Sequence, residues 1–314
     1  MALDNLDAPL RITWDLCPSG QMQLSSTELL QVAERLLDAG IFYLLLDEQP
    51  LLHPGLPAAL NQLSDEGCQV SLVLGDNPAE LVQLKQLERR YPLFVDARCW
   101  LDKPAGIEGL ESFLDELRSQ GENPALLWVP VAGQLHNLFP LFELCERQNI
   151  PRFKLPNHKI TVNSGELETA GILQTKDLEM LAKLLKQQPL KIGKTTLEVH
   201  DLFLWELIFP QGGGERSEYG GCQAGNSLGH VAVNADLWPC SSWPQSMGNL
   251  LLQDLHSIWD TAARHQVRVE VGTEPEDCAG CRDYPICFGG CRGLARSCRL
   301  DGARRDLLCS GPRK

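Results

Sequence analysis

Three features are missing from this 314-residue sequence, and each absence excludes a class of protein. No run of about 18 apolar residues occurs, so we expect no transmembrane helix and no membrane partner. The first residues lack the basic-then-apolar pattern of a signal peptide, which predicts a cytoplasmic protein whose thiols stay reduced. Basic residues are too few for general nucleic-acid binding, because 28 Lys and Arg stand against 41 Asp and Glu, a net charge of −13.

The composition is otherwise that of an ordinary globular protein, with 43% hydrophobic and 22% charged residues. A chain of this length can form one large α/β domain and a small second one. Its charge is unevenly spread. Residues 278–314 hold eight Lys or Arg and three Asp or Glu, a local charge of +5, so residues 1–277 carry −18. The basic end coincides with a concentration of cysteine.

Eight of the twelve cysteines lie in the last 93 residues, and their spacing is typical of metal ligands. The order is C-x17-C, a gap of 37 residues, and then C-x2-C-x5-C-x3-C-x6-C-x10-C. A C-x2-C turn places two thiolates on one small ion or cluster, and more distant cysteines complete the ligand set. In a reducing compartment this indicates metal binding rather than disulfides. The spacing alone allows iron–sulfur clusters or two tetrahedral zinc sites.

The N-terminal two thirds of the chain alternate between strand and helix patterns. Strands are predicted at residues 11–16, 41–46, 69–74, 93–97, 125–131 and 152–155. Helices are predicted at residues 25–39, 56–66, 78–90, 107–120, 136–148, 177–188 and 197–209. Repeated βα units predict a parallel sheet covered by helices, either a partial barrel or an open doubly wound sheet. The glycine-rich residues 211–214 indicate a boundary between a βα domain at 1–211 and a small metal-stapled domain at 212–314.

Residues 222–311 resemble the SPASM domain, the auxiliary iron–sulfur module of many radical SAM enzymes. That domain has a first pair of cysteines, a central C-x2-C-x5-C-x3-C motif and a closing cysteine. The corresponding residues here are Cys222 and Cys240, then Cys278, Cys281, Cys287 and Cys291, and finally Cys309. Gly289-Gly290 before the last cysteine of the central motif is also typical of the family, whereas Ala235 stands where the family usually has glycine.

The resemblance implies two [4Fe–4S] clusters. The first would be held by Cys222, Cys240 and Cys291, and the second by Cys278, Cys281, Cys287 and Cys309. Residues 223–228 contain no further thiol, so the first cluster has an open iron or takes Cys298 as a possible extra ligand.

A cluster held by thiolates is negatively charged, and nearby arginines would offset that charge. The candidates are Arg292, Arg296, Arg299, Arg304 and Arg305. A solvated basic tail, or a basic face for an acidic partner, explains the same residues.

Residues 1–211 resemble the radical SAM partial barrel, but the residues that start its chemistry are missing. The segment ending in Cys17 stands where the family has a strand that leads into its cluster loop. The family's cluster needs C-x3-C-x2-C, and here no cysteine follows Cys17 until Cys68. The family's Gly-Gly-Glu turn is replaced by Asp47-Glu48-Gln49. We therefore expect a degenerate barrel that does not use S-adenosylmethionine and is not an independent radical SAM enzyme.

The leading hypothesis is an iron–sulfur accessory protein that assists a partner radical SAM/SPASM enzyme in modifying a peptide or protein, through substrate binding, electron transfer or both. It resembles the SPASM-only partner proteins of GeoRSP-type peptide-modification systems. One alternative is a radical SAM/SPASM-type enzyme with non-standard cluster ligands, Cys17 among them. A second is a structural zinc protein.

Overall fold

The computed structural model describes residues 6–65, 67–88, 92–101, 106–163, 166–209, 220–298 and 304–313. Within these ranges ten strands form one sheet, in which eight neighbouring strands are parallel. In spatial order they are β10 (Leu228–Val231), β1 (Arg11–Asp15), β2 (Tyr43–Asp47), β3 (Gln69–Leu74), β4 (Phe94–Arg98), β5 (Ala125–Leu127), β6 (Arg152–Leu155) and β9 (Thr196–Val199). Beyond β10 the sheet continues antiparallel through β11 (Asp236–Trp238) and β12 (Gly248–Asn249). A separate hairpin joins β7 (Thr161–Asn163) and β8 (Glu166–Glu168).

Helices follow most of the parallel strands, and further short helices lie in the cysteine-rich part. They are α1 (Ser26–Asp38), α2 (Leu56–Asp65), α3 (Pro78–Gln86), α4 (Gly106–Ser119), α5 (Leu138–Arg147), α6 (Thr175–Gln187), α7 (Leu202–Ile208), α8 (Leu255–Trp259), α9 (Ala262–Gly272), α10 (Tyr284–Cys287) and α11 (Arg292–Cys298). One side of the sheet and the apolar faces of the helices share a continuous core.

The first helix shows why these segments fold locally as the sequence predicts. Ser25 and Glu28 form a reciprocal capping box, in which each side chain accepts the other's backbone N–H. Leu29, Val32 and Leu36 recur at helical spacing and are fully buried against the sheet. The cap therefore sets the start of α1, and the apolar stripe sets which side faces the core.

Strands β1 to β6 follow one another across the sheet in chain order. A doubly wound sheet reverses its strand order at a switch point, whereas a βα barrel does not. The observed order therefore favours the barrel-type arrangement of the two that the sequence allows. The six predicted strands are confirmed, although the fifth ends at Leu127 rather than at residue 131.

The predicted single helix at 197–209 is wrong. Residues Thr196–Val199 form β9, which pairs in parallel with β6, and only Leu202–Ile208 are helical. Asp201 separates the two elements, because its carboxylate accepts the N–H groups of Phe203 and Leu204 at 2.8 and 3.0 Å as the N-cap of α7. With β10, which also pairs in parallel, the sheet has two more parallel strands than the six that the sequence predicted.

The predicted boundary between residues 211 and 212 lies outside the described residues. Strands from both sides of it share one sheet, since β10 pairs directly with β1. The division at 211/212 remains a prediction. Within the described residues, none of the helices combines the length and the apolar character that crossing a bilayer requires.

Candidate metal centres and the carboxyl end of the sheet

Four cysteines that the sequence assigns to one cluster line a single small cavity. They are Cys278, Cys281, Cys287 and Cys309. Burial raises the pKa of the Cys278 thiol to about 12, and the charges of Asp277, Cys287 and Cys309 add to the rise. Thiolates that repel one another in this way are stabilised by a cation between them, because its charge favours the deprotonated form. The donor set therefore suits a thiolate-ligated metal group.

Tight local turns bring these thiols together. Cys278 ends a single 3-10 turn, and the N–H of Cys281 donates to its carbonyl at 2.9 Å, which closes the C-x2-C loop. Cys287 ends α10, and Phe288 follows with a left-handed φ of 50° that redirects the chain. The spacing of Cys278, Cys281 and Cys287 therefore corresponds to two consecutive tight turns of the chain.

Two backbone N–H groups donate to the sulfur atoms of this group. Gly311 N lies 3.4 Å from Cys309 Sγ, and Arg313 N lies 3.3 Å from Cys281 Sγ. Hydrogen bonds to ligating sulfur favour the thiolate and tune the metal that it holds. The C-terminal residues therefore form part of this site.

Cys222, Cys240 and Cys291 form the second convergence of thiols. Burial raises the pKa of Cys240 to about 12, and the charge of Cys222 adds to the rise. The pKa of Cys291 lies well above its usual range because of burial and the charges of Cys222, Asp306 and Cys240. A Cβ atom on Gly293 would lie 3.2 Å from Cys240 Sγ, so the first turn of α11 packs directly on this sulfur.

Cys298 lies at the end of α11, seven residues after Cys291. Its thiol packs against the small apolar cluster that contains Cys291, Leu294 and Ile160, and burial raises its pKa to about 11. Its role as an extra ligand stays a prediction.

The spacing of the thiols bears on which metal group they could hold. All twelve cysteines are free, so none is committed to a disulfide. Among the described residues, no three cysteine sulfurs lie within 4.8 Å of one another. Four thiolates at about 2.3 Å from one tetrahedral zinc ion would be roughly 3.8 Å apart. A single zinc ion would therefore require the sulfurs to lie closer together than they do in the described residues.

Of the predicted charge-balancing arginines that the structure describes, Arg305 and Arg292 lie near the four-cysteine group. Arg305 lines the cavity of the four-cysteine group, and its Nη1 is 2.7 Å from Asp277 Oδ2. Arg292 is buried, and its charge opposes the rise in the pKa of Cys278. It donates to the carbonyls of Glu270 and Thr273, at 2.8 and 3.1 Å, where α9 ends. The other three are Arg296 and Arg304, which both pair with Glu270, and Arg299, which lies outside the described residues.

Two residues that sequence reasoning missed support the three-cysteine group. Arg268 donates from Nη1 to the carbonyls of Cys222 and Ala224, at 3.0 and 2.9 Å. Asp306 is buried and accepts the N–H of Cys291 at 2.5 Å. The partners in the first contact are 46 positions apart in the chain, and those in the second are 15 apart. No local sequence pattern could therefore have predicted them.

Asp306 also connects the two groups of thiols. Its second carboxylate oxygen accepts the N–H of Leu308 at 2.7 Å, in the turn that leads to Cys309. Its own N–H donates to Gly289 O at 2.8 Å, within the central motif. A single buried carboxylate thus holds a residue of each group in place.

The loop after β1, where the radical SAM family has its cluster, is held by polar side chains. Cys17 Sγ donates to Gln23 Oε1 at 2.8 Å, and burial raises the pKa of Cys17 to about 11. Gln49 donates to Ser19 Oγ at 3.0 Å and accepts from Asn77 Nδ2 at 2.8 Å. Side-chain hydrogen bonds therefore tie together the loops that follow β1, β2 and β3.

Beside this loop, three carboxylates surround a lysine, and we call Asp15, Asp47 and Glu48 the carboxylate cage. One oxygen from each lies within 4.8 Å of the other two. Lys159 Nζ is 3.2 Å from both oxygens of Asp15, 3.9 Å from Asp47, and in contact with Glu48. Arg98 pairs with Asp47 and lies 3.6 Å from Glu48. Sequence reasoning singled out Asp47 and Glu48 only as replacements for a family motif and missed the two cations.

The parallel βα sheet and its cysteine-rich extension define a mixed α/β protein with a radical SAM-like fold. The structure of SuiB from Streptococcus suis is similar to it, with a TM-score of 0.68 at 15% identity, covering 98% of this chain and 78% of SuiB. SuiB bound to the precursor peptide SuiA gives 0.69 at 15% identity, covering 98% and 77%. anSMEcpe with bound AdoMet gives 0.67 at 13% identity, covering 96% and 94%. No protein-family model and no curated protein matches the sequence.

Proposed function

We propose that this chain is an iron–sulfur accessory protein that assists a partner radical SAM enzyme in modifying a peptide or protein. The observation that carries the proposal is a contrast within one fold. Seven thiols lie in two groups in the C-terminal region. Cys17, at the position of the family's radical-generating cluster, instead donates a hydrogen bond to the side-chain amide of Gln23. This contrast supports auxiliary donor sets in the C-terminal region, and the C-x3-C-x2-C motif that S-adenosylmethionine chemistry needs is missing from the sequence.

In this proposal two [4Fe–4S] clusters bind to the two groups. Cys222, Cys240 and Cys291 hold the first, and Cys278, Cys281, Cys287 and Cys309 hold the second. When bound, such clusters supply one-electron transfer, with potentials set by net charge, hydrogen bonds to sulfur and exposure to water. At the second cluster the chain itself would set these properties. The N–H groups of residues 311 and 313 donate to sulfur, and the guanidinium of Arg305 and the ring of Phe203 line the cavity of the four-cysteine group.

The substrate class is supported by the peptides in the similar structures. SuiB is bound to the precursor peptide SuiA, and anSMEcpe to AdoMet and the Cp18Cys peptide. A fold of this kind accommodates a peptide, and we propose the same class for the partner complex. A cytoplasmic location belongs to this proposal, since it keeps the thiols reduced.

Iron and sulfide content of anaerobically purified protein, with an EPR spectrum after reduction, tests the cluster assignment. We expect about eight irons per chain, and about four in Cys287→Ala and in Cys291→Ala, because each variant loses one cluster. Cys68→Ala is the matched control, since Cys68 is a half-buried thiol outside both groups, and it should keep all of the iron. Cys17→Ala should also keep all of it.

Other iron contents would contradict the proposal. About twelve irons per chain would reveal a third cluster and support the enzyme with non-standard ligands. Zinc without iron would support the structural zinc protein. A separate assay asks whether the chain alone cleaves S-adenosylmethionine to 5′-deoxyadenosine under strong reduction, and product formation would overturn the accessory role.

A further inference from the structure

Helix α9 brings a buried cation to the three-cysteine group. Arg268 is 8% exposed, and its Nη1 donates to the carbonyls of Cys222 and Ala224 at 3.0 and 2.9 Å. Its Nε is fully buried and makes no hydrogen bond within the described residues. Because buried polar groups normally have a partner, the chain satisfies this guanidinium only in part.

The charges around Arg268 do not include a carboxylate that balances it. Burial lowers the pKa of Arg268, the charge of Cys222 opposes this effect, and the charge of Arg264 adds to it. Among the described residues, Cys222 is thus the negative group that acts on Arg268. A guanidinium stays charged even when it is buried, and buried charges are normally paired. The three-cysteine group itself therefore supplies the counter-charge of Arg268.

The contact lies in apolar surroundings. Val267 and Val271, which flank Arg268 along α9, are each 1% exposed and pack in one cluster with Cys222 and Cys240. Charges separated by such side chains interact more strongly than charges in water, because few mobile dipoles screen them. Arg268 therefore acts on the thiols at full charge and through a medium that screens little.

Arg264, one helical turn earlier on α9, is a weaker version of the same arrangement. Its Nε donates to Gly225 O at 2.8 Å, and its guanidinium lies 5.3 Å from the ring centroid of Trp259. Burial lowers the pKa of Arg264, but the charges of Asp260 and Asp7 oppose this effect. Two carboxylates thus balance Arg264 in part, and Arg268 remains the less compensated cation.

We propose that Arg268 is a redox-tuning residue, whose fixed charge favours the reduced state of the cluster at Cys222, Cys240 and Cys291. A cluster gains one negative charge on one-electron reduction, and an uncancelled positive charge nearby stabilises that state. The electron comes from a low-potential one-electron donor, which is dithionite in the experiment below, and no covalent bond forms or breaks. A purely structural cluster would not require such tuning. The inference rests on the proposed function, since it needs a cluster at these three thiols.

An anaerobic redox titration followed by EPR tests the role, and Cys287→Ala, which keeps only the first cluster, identifies the signals of that cluster. Arg268→Gln removes the charge and keeps an amide that can donate to a carbonyl. A unit charge at roughly 10 Å, with an effective dielectric constant of about 20, changes such an equilibrium by about tenfold. At a fixed potential, the ratio of reduced to oxidised first cluster should therefore be about tenfold lower in Arg268→Gln. For one electron this is a shift of about 59 mV to lower potential.

A conservative variant separates charge from hydrogen-bond geometry. Arg268→Lys keeps the charge and loses the planar fork, so it should keep most of the wild-type potential. Arg264→Gln should shift the potential in the same direction as Arg268→Gln, but less. Equal shifts in Arg268→Lys and Arg268→Gln would overturn the proposal, because geometry rather than charge would then set the potential.

Arg118→Gln is the matched control. Arg118 also donates to two carbonyl oxygens, both of Gln148, but it lies on α4, which follows β4, four strands away from β10. Its replacement should leave the potential of the first cluster unchanged. A shift as large as that of Arg268→Gln would overturn the proposal, since any loss of positive charge would then have the same effect.

Iron content is measured on the same samples. Full iron with an unchanged potential in Arg268→Gln would reject the tuning role and leave the proposed function standing, whereas wild type without iron would overturn both. Where Arg268→Gln loses the first cluster, Arg264→Gln decides. A lower potential in that variant supports tuning by the charges of α9, and an unchanged one overturns it.

Discussion

Removal of the Asp306 carboxylate is the most informative perturbation of the cysteine-rich region. Its two oxygens accept the N–H groups of Cys291 and Leu308, at 2.5 and 2.7 Å, and the side chain is buried. Asp306→Ala leaves both donors buried without these acceptors. Each such group costs about 1–3 kcal/mol, so the two together predict a loss of roughly 2–6 kcal/mol.

A neighbouring carboxyl group offsets part of this decrease in the free energy of unfolding. Asp201 is buried nearby, and its pKa is raised well above the usual range by burial and by the charge of Asp306. Removal of the Asp306 charge relieves this repulsion. We therefore expect a net decrease of about 3 kcal/mol in the free energy of unfolding, a large part of the stability of a typical domain.

The assay is urea unfolding followed by circular dichroism under anaerobic conditions, with iron content as a second measurement. Asp254→Ala is the control, because Asp254 also accepts two hydrogen bonds, from Ser257 N and Ser257 Oγ at 2.8 and 2.7 Å, but at an exposed N-cap. Loss of such a cap costs about 1 kcal/mol. If the two variants differ by less than about 0.5 kcal/mol, burial of Asp306 does not have the consequence argued here.

Two further predictions concern a buried acid and a pair of glycines. Burial raises the pKa of Glu80 from 4.5 to about 7, so the folded protein holds this proton more tightly than the unfolded chain, and the stability that it confers is lost as the pH rises through 7. Between about pH 6 and pH 8, the free energy of unfolding should fall by about 1.4 kcal/mol more in wild type than in Glu80→Gln. Urea unfolding measures it, and parallel pH profiles of the two proteins would refute the prediction. Gly290 has a φ of +70° and a Cβ there would lie 2.5 Å from Asp306, whereas Gly280 has a φ of +72° and open space. Gly280→Ala should lower the free energy of unfolding by about 1 kcal/mol, and Gly290→Ala should lower it by at least about 2 kcal/mol more. Similar urea midpoints for the two variants would contradict the packing argument.

The close spacing of three thiols and the alternation of strands and helices were accessible from sequence, whereas the order of the strands was not, because the periodicity allows both a barrel and a doubly wound sheet. A C-x2-C loop and short turns fix thiol positions locally, so the spacing of Cys278, Cys281 and Cys287 carries geometric information by itself. The βα repeats are equally local, since each strand and helix has its own apolar period. The assignment of Cys309 to the same cavity needed the family resemblance, because it lies far along the chain from the others.

The failures share a physical cause, which is dependence on contacts distant in the chain. The segment 197–209 has apolar residues that suit a helix, and only pairing with β6 makes its first part a strand. Lys159 follows a weak strand pattern, and its significance appears only when β1 and β2 place their terminal carboxylates around it. Asp306 looks like an ordinary residue of the last loop until its hydrogen bond to Cys291 is seen.

The cage and the three-cysteine group are connected through a few atoms of backbone. Lys159 is flanked by the carbonyl of His158 and the N–H of Ile160, which bond to Ser242 and Ser241 immediately after Cys240. These two hydrogen bonds join the ion pairs of Lys159 and the backbone beside Cys240 into one network, so a substitution at Lys159 should alter the packing around that thiol.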